Sequence, residues 1–161
     1  MGTTTDRDSD CLGHGVDETP VPMNACYLVL SDEERAKGFV RPVRTSYLHV
    51  GAAGPQFPTR PLTCVEEELY GGGDLEAFVV FETYPAGHKG SSTGRFWTQQ
   101  ELDAVGKGCN AVTQMSRDIA ETYAREPRFY GATYCVGCRM HRPVGERGEF
   151  TWVGTTERVG S

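Results

Sequence analysis

Apolar residues occur in short runs along this chain, separated by polar, glycine-rich and proline-rich stretches. Runs of strand length, rich in β-branched and aromatic residues, lie at 23–30, 77–84, 129–135 and 149–153. The segment 39–51 is also extended in pattern, although Pro42 restricts it to a sheet edge or divides it. No run approaches the roughly 20 apolar residues that cross a bilayer. The pattern therefore predicts several short strands and no membrane span.

Short helices are predicted where a Ser or Thr precedes a Glu by three residues, because the two side chains can then cap the first turn reciprocally. This spacing occurs at Ser31 with Glu34, Thr63 with Glu66, and Thr98 with Glu101. A fourth helix is predicted from Ser116 up to Pro127, with an apolar face that includes Ile119 and Tyr123. Strands and helices together predict an α+β fold with a small antiparallel sheet.

The length and charge of the chain indicate one domain with an acidic tail. The chain has 161 residues, and its net charge of −6 is concentrated at the start, where residues 1–20 contain five acidic residues and one arginine. Such a segment buries too little apolar surface to offset the entropy of ordering. We therefore predict a disordered tail over 1–22 and a single domain over 23–161.

The first residues carry neither a basic start nor an apolar stretch, so no secretion signal is predicted and the expected location is the cytoplasm. In a reducing compartment, the six cysteines favour a metal site or free thiols over a disulfide framework.

The most specific chemical feature is Cys135-Val136-Gly137-Cys138. Two thiolates separated by two residues can bind one cation when the turn between them is tight, and Gly137 allows the positive φ that such a turn often needs. The flanking strands make the segment resemble a zinc-ribbon knuckle, with 149–153 pairing back as the closing strand. A redox pair would open a helix, which Pro143 disfavours. We predict half of a metal site, with a redox or disulfide pair and unligated thiols as the alternatives.

A closed structural zinc site needs four ligands, so two more must come from elsewhere in the chain. His141 lies three residues after Cys138, which is possible but crowded on one cation. Cys26 and Cys64 are expected to be small buried apolar residues rather than ligands. The full set of candidates is Cys109, His49, His141, Cys64, Cys26, Cys11, His88 and His14.

Arginines near the knuckle raise a second hypothesis, nucleic-acid binding. Arg139, Arg142 and Arg147 lie close in sequence to aromatic residues, and this combination can bind single strands by stacking and phosphate contacts. Aromatic residues in strands are, however, usually core, and nearby Glu146 and Glu149 reduce the positive charge. Binding of nucleic acid is therefore the alternative to binding a protein partner.

Motifs of several enzyme classes are absent from the sequence. There is no HExxH, no GxSxG, no phosphate-loop Lys after the glycines at 71–73, and no deaminase HxE with PCxxC. Binding is thus favoured over catalysis, although a metal-dependent hydrolase or nuclease that uses His141 as a base or ligand stays open.

Three stretches of the chain resemble small, uncharacterised zinc-knuckle proteins of phage and prophage genomes: LSDEERAKGFVRPVRTSYLHVG, GRFWTQQELD, and CNAVTQMSRDIAETYAREPRFYGATYCVGCRMHRPVGERGEFTWVGTTERVGS. The resemblance covers about residues 31–161, and the family has no established activity. It implies His49 and Cys109 as the second ligand pair, with residues 52–107 as an insertion between metal ligands. Asn110 stands where the family has Gly, and Asn also tolerates the left-handed conformation.

The sequence and the resemblance together give the expectations for the structure. One structural Zn²⁺ would be bound by His49, Cys109, Cys135 and Cys138, with His141 in reserve. The protein would act by binding an unidentified protein partner, as a phage accessory or host-interaction factor in the host cytoplasm. The sequence leaves the oligomeric state open.

Overall fold

The structure is a computed structural model that describes residues 2–12, 26–55, 59–70, 78–81 and 96–161. Its strands are β1 (Gly2–Thr4), β2 (Cys26–Leu28), β3 (Ser46–His49), β4 (Thr59–Pro61), β5 (Phe78–Phe81), β6 (Phe96–Thr98), β7 (Val112–Gln114), β8 (Ala132–Cys135), β9 (Met140–Pro143) and β10 (Phe150–Trp152). Its helices are α1 (Asp32–Arg35), α2 (Cys64–Tyr70), α3 (Gln99–Asp103) and α4 (Arg117–Arg125). The predicted fold class is confirmed: the protein is α+β, with small antiparallel sheets and short helices.

The chain divides into two compact units. The first unit combines residues 1–53 with 108–161, and the second consists of residues 54–107. The second unit therefore lies in sequence between two parts of the first, with limits close to those of the predicted insertion. Its origin as an insertion stays a prediction.

The core of the first unit is an antiparallel sheet of order β10-β3-β7 packed against α4. Tyr47 of β3 is opposite Trp152 of β10, and His49 is opposite Phe150. Side chains alternate between the two faces of a strand, so these four residues share the face that is buried. The core of the unit thus extends to His49, at the end of the central strand.

Helix α4 begins and ends as its sequence predicts. The hydroxyl of Ser116 accepts a hydrogen bond from the amide of Ile119, and Pro127 follows the last turn. The buried face contains Ile119 and Tyr123, and the Tyr123 ring packs edge-on against Trp152 with centroids 5.7 Å apart. This aromatic contact joins the helix to the sheet.

Strands β8 and β9 form a hairpin around the turn that contains Cys138, with Cys135 opposite Met140. The prediction that residues 149–153 would close this hairpin is wrong, because β10 pairs with β3 instead. The actual partner of β8, Met140–Pro143, lacks the apolar alternation by which a strand is predicted from sequence.

The start of the chain differs from the predicted tail. Gly2–Thr4 pairs in parallel with β2, and the Thr3 hydroxyl donates to Asp118 at 3.0 Å. Backbone pairing, rather than apolar burial, orders this polar segment. The remainder of the predicted tail, residues 13–22, lies outside the described residues, so disorder there stays a prediction.

The second unit contains the antiparallel sheet β4-β5-β6 together with α2 and α3. The capping box at α2 is complete: the Glu66 amide donates to the Thr63 hydroxyl at 3.3 Å, and the Thr63 amide donates to the Glu66 carboxylate at 2.8 Å. Pro61 is tolerated in β4 because this strand lies at the edge of the sheet. Among the described residues of the whole chain, no helix is long and apolar enough to cross a membrane.

Candidate metal centre

Four side chains from three parts of the first unit meet at one end of its central sheet. His49 is the last residue of β3, and Cys109 lies just before β7, which pairs with β3. Cys135 ends β8, and Cys138 lies in the following turn. In the described part of the chain, this is the one group of three or more Cys, His, Asp or Glu residues whose ligand atoms all lie within 4.8 Å of one another.

The spacing of the ligand atoms suits a shared tetrahedral ion. His49 Nδ1 is 3.2 Å from Cys109 Sγ, 3.3 Å from Cys138 Sγ and 3.7 Å from Cys135 Sγ. The Sγ atoms of Cys109 and Cys135 are 3.4 Å apart. Metal–sulfur bonds of about 2.3 Å and a metal–nitrogen bond of about 2.0 Å place tetrahedral ligand atoms roughly 3.5–3.8 Å apart. The four residues could therefore hold a metal ion with little movement.

The hydrogen bonds of the His49 ring turn its Nδ1 towards the three thiols. Nε2 lies 2.9 Å from Glu149 Oε1, and the amide of Cys109 donates to Nδ1 at 3.3 Å. These contacts assign the proton to Nε2 and the lone pair to Nδ1, the tautomer that a metal on Nδ1 requires. The hydrogen bond to Glu149 raises the pKa of His49 against the opposing effect of burial. Glu149 thus orients the imidazole and increases its basicity.

The three thiols have different environments. Cys135 is fully buried, and burial raises the pKa of its thiol to about 12. Burial also raises the pKa of Cys138. Cys109 is exposed; the effect of its partial burial, which raises its pKa, is outweighed by the hydrogen bond from the Ala111 amide and by the contact with the His49 ring, which lower the pKa to about 7. A bound cation would favour the thiolate form of all three residues.

Two residues with positive φ shape the segments that carry Cys109 and Cys138. Asn110 and Arg139 each directly follow one of these cysteines, and each has φ of 60°. The amide of Asn110 donates to the His49 carbonyl at 2.9 Å, and the amide of Arg139 donates to the Cys135 carbonyl at 2.8 Å. Asn110 thus adopts the left-handed conformation that asparagine tolerates. The expectation of a positive φ at Gly137 is wrong, because Arg139 adopts it instead.

Gly137 and Gly108 lie where neighbouring atoms leave no space for a side chain. A Cβ atom on Gly137 would lie 2.6 Å from Cys109 Sγ and 2.7 Å from the Ala111 Cβ. A Cβ atom on Gly108 would lie 2.1 Å from the carbonyl oxygen of His49. Both glycines therefore allow the two cysteine segments to approach β3 and each other.

The reserve ligand His141 does not join the group. It is buried on β9, and its Nε2 lies 3.3 Å from the hydroxyl of Tyr27. Burial alone lowers the pKa of His141, and its Nδ1 has no hydrogen-bond partner among the described residues. The structure thus places this imidazole in the apolar interior beside Tyr27 and Tyr134.

None of the remaining candidates that the structure describes belongs to the group of four. Cys11 and Cys26 form a disulfide with their Cα atoms 5.5 Å apart, which corrects the expectation of free thiols at these positions. Cys64 is a free cysteine in the second unit, and it is exposed rather than buried as expected. His14 and His88 lie outside the described residues.

Two of the three arginines predicted to contact nucleic acid are half-buried, and two of the nearby aromatic rings lie in the core. Arg139 is exposed, but Arg142 and Arg147 are half-buried, and Arg147 donates to the Ala53 carbonyl at 3.3 Å. Phe150 and Trp152 belong to the buried core. These two rings therefore serve packing and are not available for stacking on bases.

Fold and site together define a small α+β protein with a His/Cys cluster that could hold a metal ion. Comparison of the chain with protein-family models, with curated proteins and with solved structures found no match. The cluster is therefore the feature of this chain that indicates a function.

Proposed function

We propose that this chain is a structural-zinc protein in which His49, Cys109, Cys135 and Cys138 bind one Zn²⁺. The observation that carries the proposal is the convergence of three sulfur atoms and one imidazole nitrogen at tetrahedral spacing. Thiolate and imidazole donors in this geometry select zinc over the hard cations that prefer oxygen. Four protein ligands also complete the coordination, whereas a catalytic zinc keeps one position for water or substrate.

The role of the metal in this proposal is to stabilise the fold. The four ligands belong to the end of β3, the segment before β7, and the β8–β9 hairpin. One ion would therefore cross-link parts of the first unit that are distant in sequence. Structural zinc contributes roughly 10 kcal/mol or more of apparent binding energy in small peptides, which is comparable to the stability of a whole domain.

The test is the thermal stability of the chain with and without its metal. A denaturation scan before and after chelation at neutral pH should show a large fall in the melting temperature, which stoichiometric Zn²⁺ restores. Addition of Mg²⁺ should not restore it, because the donor set lacks oxygen ligands. An unchanged melting temperature after complete metal removal contradicts a stabilising role.

At the level of biological role, we propose that the protein acts by binding a protein partner as a phage accessory or host-interaction factor in the host cytoplasm. The support is the resemblance over residues 31–161 and the closed coordination of the proposed ion. Purified phage particles and infected-cell lysate, probed with an antibody against the protein, distinguish an intracellular factor from a virion component. Detection in the lysate and not in particles is the expected result.

The two alternatives give different outcomes in simple assays. A nucleic-acid-binding protein should shift single- or double-stranded probes at low salt, where phosphate contacts are strongest; the half-buried positions of Arg142 and Arg147 predict no shift. A hydrolase or nuclease would lose activity in a His141→Ala variant that keeps its metal. The burial of His141 and the distance of its Nε2 from Tyr27, 3.3 Å, favour a packing role instead.

A further inference from the structure

The three clustered thiols differ in their access to solvent. Cys109 is exposed, Cys138 is half-buried, and Cys135 has no exposed surface. Cys109 Sγ is nevertheless only 3.4 Å from the buried Cys135 Sγ. A reagent from solvent therefore reaches Cys109 first, and the Cys135 sulfur is within contact distance of the product.

We propose that Cys109 is an oxidation site at which a peroxide converts the zinc-bound cluster into a Cys109–Cys135 disulfide and releases the ion. This inference rests on the proposed zinc binding. Oxidation at this site would lower the stability of the first unit by removing its zinc ion. The metal centre would then respond to peroxides in addition to stabilising the fold.

The chemistry requires one peroxide for each ion released. The Cys109 thiolate attacks a peroxide oxygen, the O–O bond breaks, and sulfenic acid and hydroxide form. The Cys135 thiolate then attacks the Cys109 sulfur, the S–O bond breaks, and a second hydroxide leaves. Two thiolates have together lost two electrons, and the peroxide has gained them. The ion then retains only His49 and Cys138, which is too few ligands for a closed zinc site.

Cys135 is the proposed partner because its Sγ atom lies 3.4 Å from that of Cys109. Cys138 lies beyond Gly137 in the tight turn, where its amide donates to Cys135 Sγ at 3.4 Å. A disulfide between Cys135 and Cys138 would close this turn on itself, and it would leave the most accessible thiol unused. The Cys109–Cys135 pair instead joins two segments that already pack against each other across Gly137.

The experiment uses the full-length, zinc-loaded chain, with its zinc content measured first. Hydrogen peroxide is added in steps, a colorimetric chelator reports free zinc, and tryptic peptides are mapped by mass spectrometry. Peptide 108–117 carries Cys109, and peptide 129–139 carries Cys135 and Cys138. We expect about one zinc ion released per peroxide consumed, with the two peptides joined through Cys135, and reversal by a dithiol with added zinc.

A second measurement does not depend on oxidation. Brief treatment of the zinc-loaded protein with iodoacetamide should label Cys109 at least about tenfold faster than Cys135, because Cys109 is exposed and Cys135 is buried. A Cys64→Ser variant is the matched control, since it removes the exposed thiol outside the cluster and should leave both the zinc release and the cross-link unchanged.

The outcomes separate this inference from the proposed function. Less than about a third of a zinc equivalent before peroxide is added contradicts the structural-zinc proposal, and the oxidation site with it. A full equivalent of zinc with equal labelling of Cys109 and Cys135, or with a disulfide confined to peptide 129–139, overturns the oxidation site alone.

Discussion

Glu149 lies outside the four clustered side chains and holds the His49 ring in its orientation. Its carboxylate lies 2.9 Å from His49 Nε2 and is itself mostly buried, with 17% of its side chain exposed. The backbone carbonyl of the same residue accepts hydrogen bonds from Val50 and Gly51. Glu149 therefore fixes both the ring and the main chain at the end of β3, so it should contribute to metal affinity without contacting the ion.

Replacement of Glu149 should weaken metal binding in proportion to the hydrogen bonding lost. We expect Glu149→Ala to lower zinc affinity by about 10–100-fold, and Glu149→Gln to have a smaller effect because the amide oxygen still accepts from Nε2. Competition with a chelator of known affinity measures the change. Glu146→Gln is the control, since this exposed carboxylate lies 3.8 Å from Arg128 and has no contact with the cluster. Equal affinities for wild type and Glu149→Ala would show that Glu149 has no positioning role.

At the scale of elements, the site depends on two turns that bring cysteines against the end of β3. Each turn places a residue with φ of 60° directly after a cysteine, Asn110 in one and Arg139 in the other. The two turns are close enough that Gly137 of one lies directly against Cys109 of the other. The approach of these turns, rather than either turn alone, forms the cluster.

A methyl group at Gly137 should therefore separate the two turns. We expect Gly137→Ala to destabilise the metal-bound protein by about 1–3 kcal/mol, because neither Cys109 nor Ala111 can move away without disturbing the cluster. Gly131→Ala is the matched control, since no described residue lies within 4 Å of the added methyl group and the φ of Gly131 is not positive. Chemical denaturation of both variants in the presence of zinc gives the comparison. Equal stability losses in the two variants would argue against close contact between the turns.

The helices and strands of this chain differ in how well the sequence predicts them. Helices were predictable because capping depends on residues that are close in sequence. The Ser31 and Ser116 hydroxyls accept hydrogen bonds from the amides of Glu34 and Ile119, as the three-residue spacing indicates. Strands β7 and β9 were not predictable, because Val112–Gln114 and Met140–Pro143 are too short and too polar to show a period-two pattern. Their strand conformation comes from pairing with β3 and β8, and a single sequence does not contain that information.

At the scale of the whole molecule, the proposed ligands lie on both sides of the second unit in sequence. His49 and Cys109 are 60 residues apart, and residues 54–107 between them form the second unit. The amide of His49 donates to the Ala111 carbonyl at 3.2 Å, so the chain returns beside β3 directly after that unit. The first unit thus contains all four side chains of the cluster.

This arrangement explains how much of the site the sequence could reveal. Spacing alone identified Cys135 and Cys138, since two residues of separation constrain both thiols to one turn. Spacing could not choose between His49 and His141, because a single sequence does not show which of them lies beside Cys135 and Cys138 in the fold. The structure places His49 among the thiols through the β3–β7 and β3–β10 pairings, whereas His141 lies opposite Tyr134 on the hairpin. The Cys11–Cys26 disulfide was missed because neither residue has a local motif.

The most direct test of the central claim is the zinc content of the purified chain and of two matched histidine variants. His49 and His141 are equally buried, at 2% and 3% exposure, so both substitutions perturb the interior to a similar degree. Elemental analysis with native mass spectrometry should find one zinc ion in the wild type and in His141→Gln, and much less than one in His49→Gln. Loss of the ion in His141→Gln with retention in His49→Gln, or no ion in the wild type, would contradict the assignment.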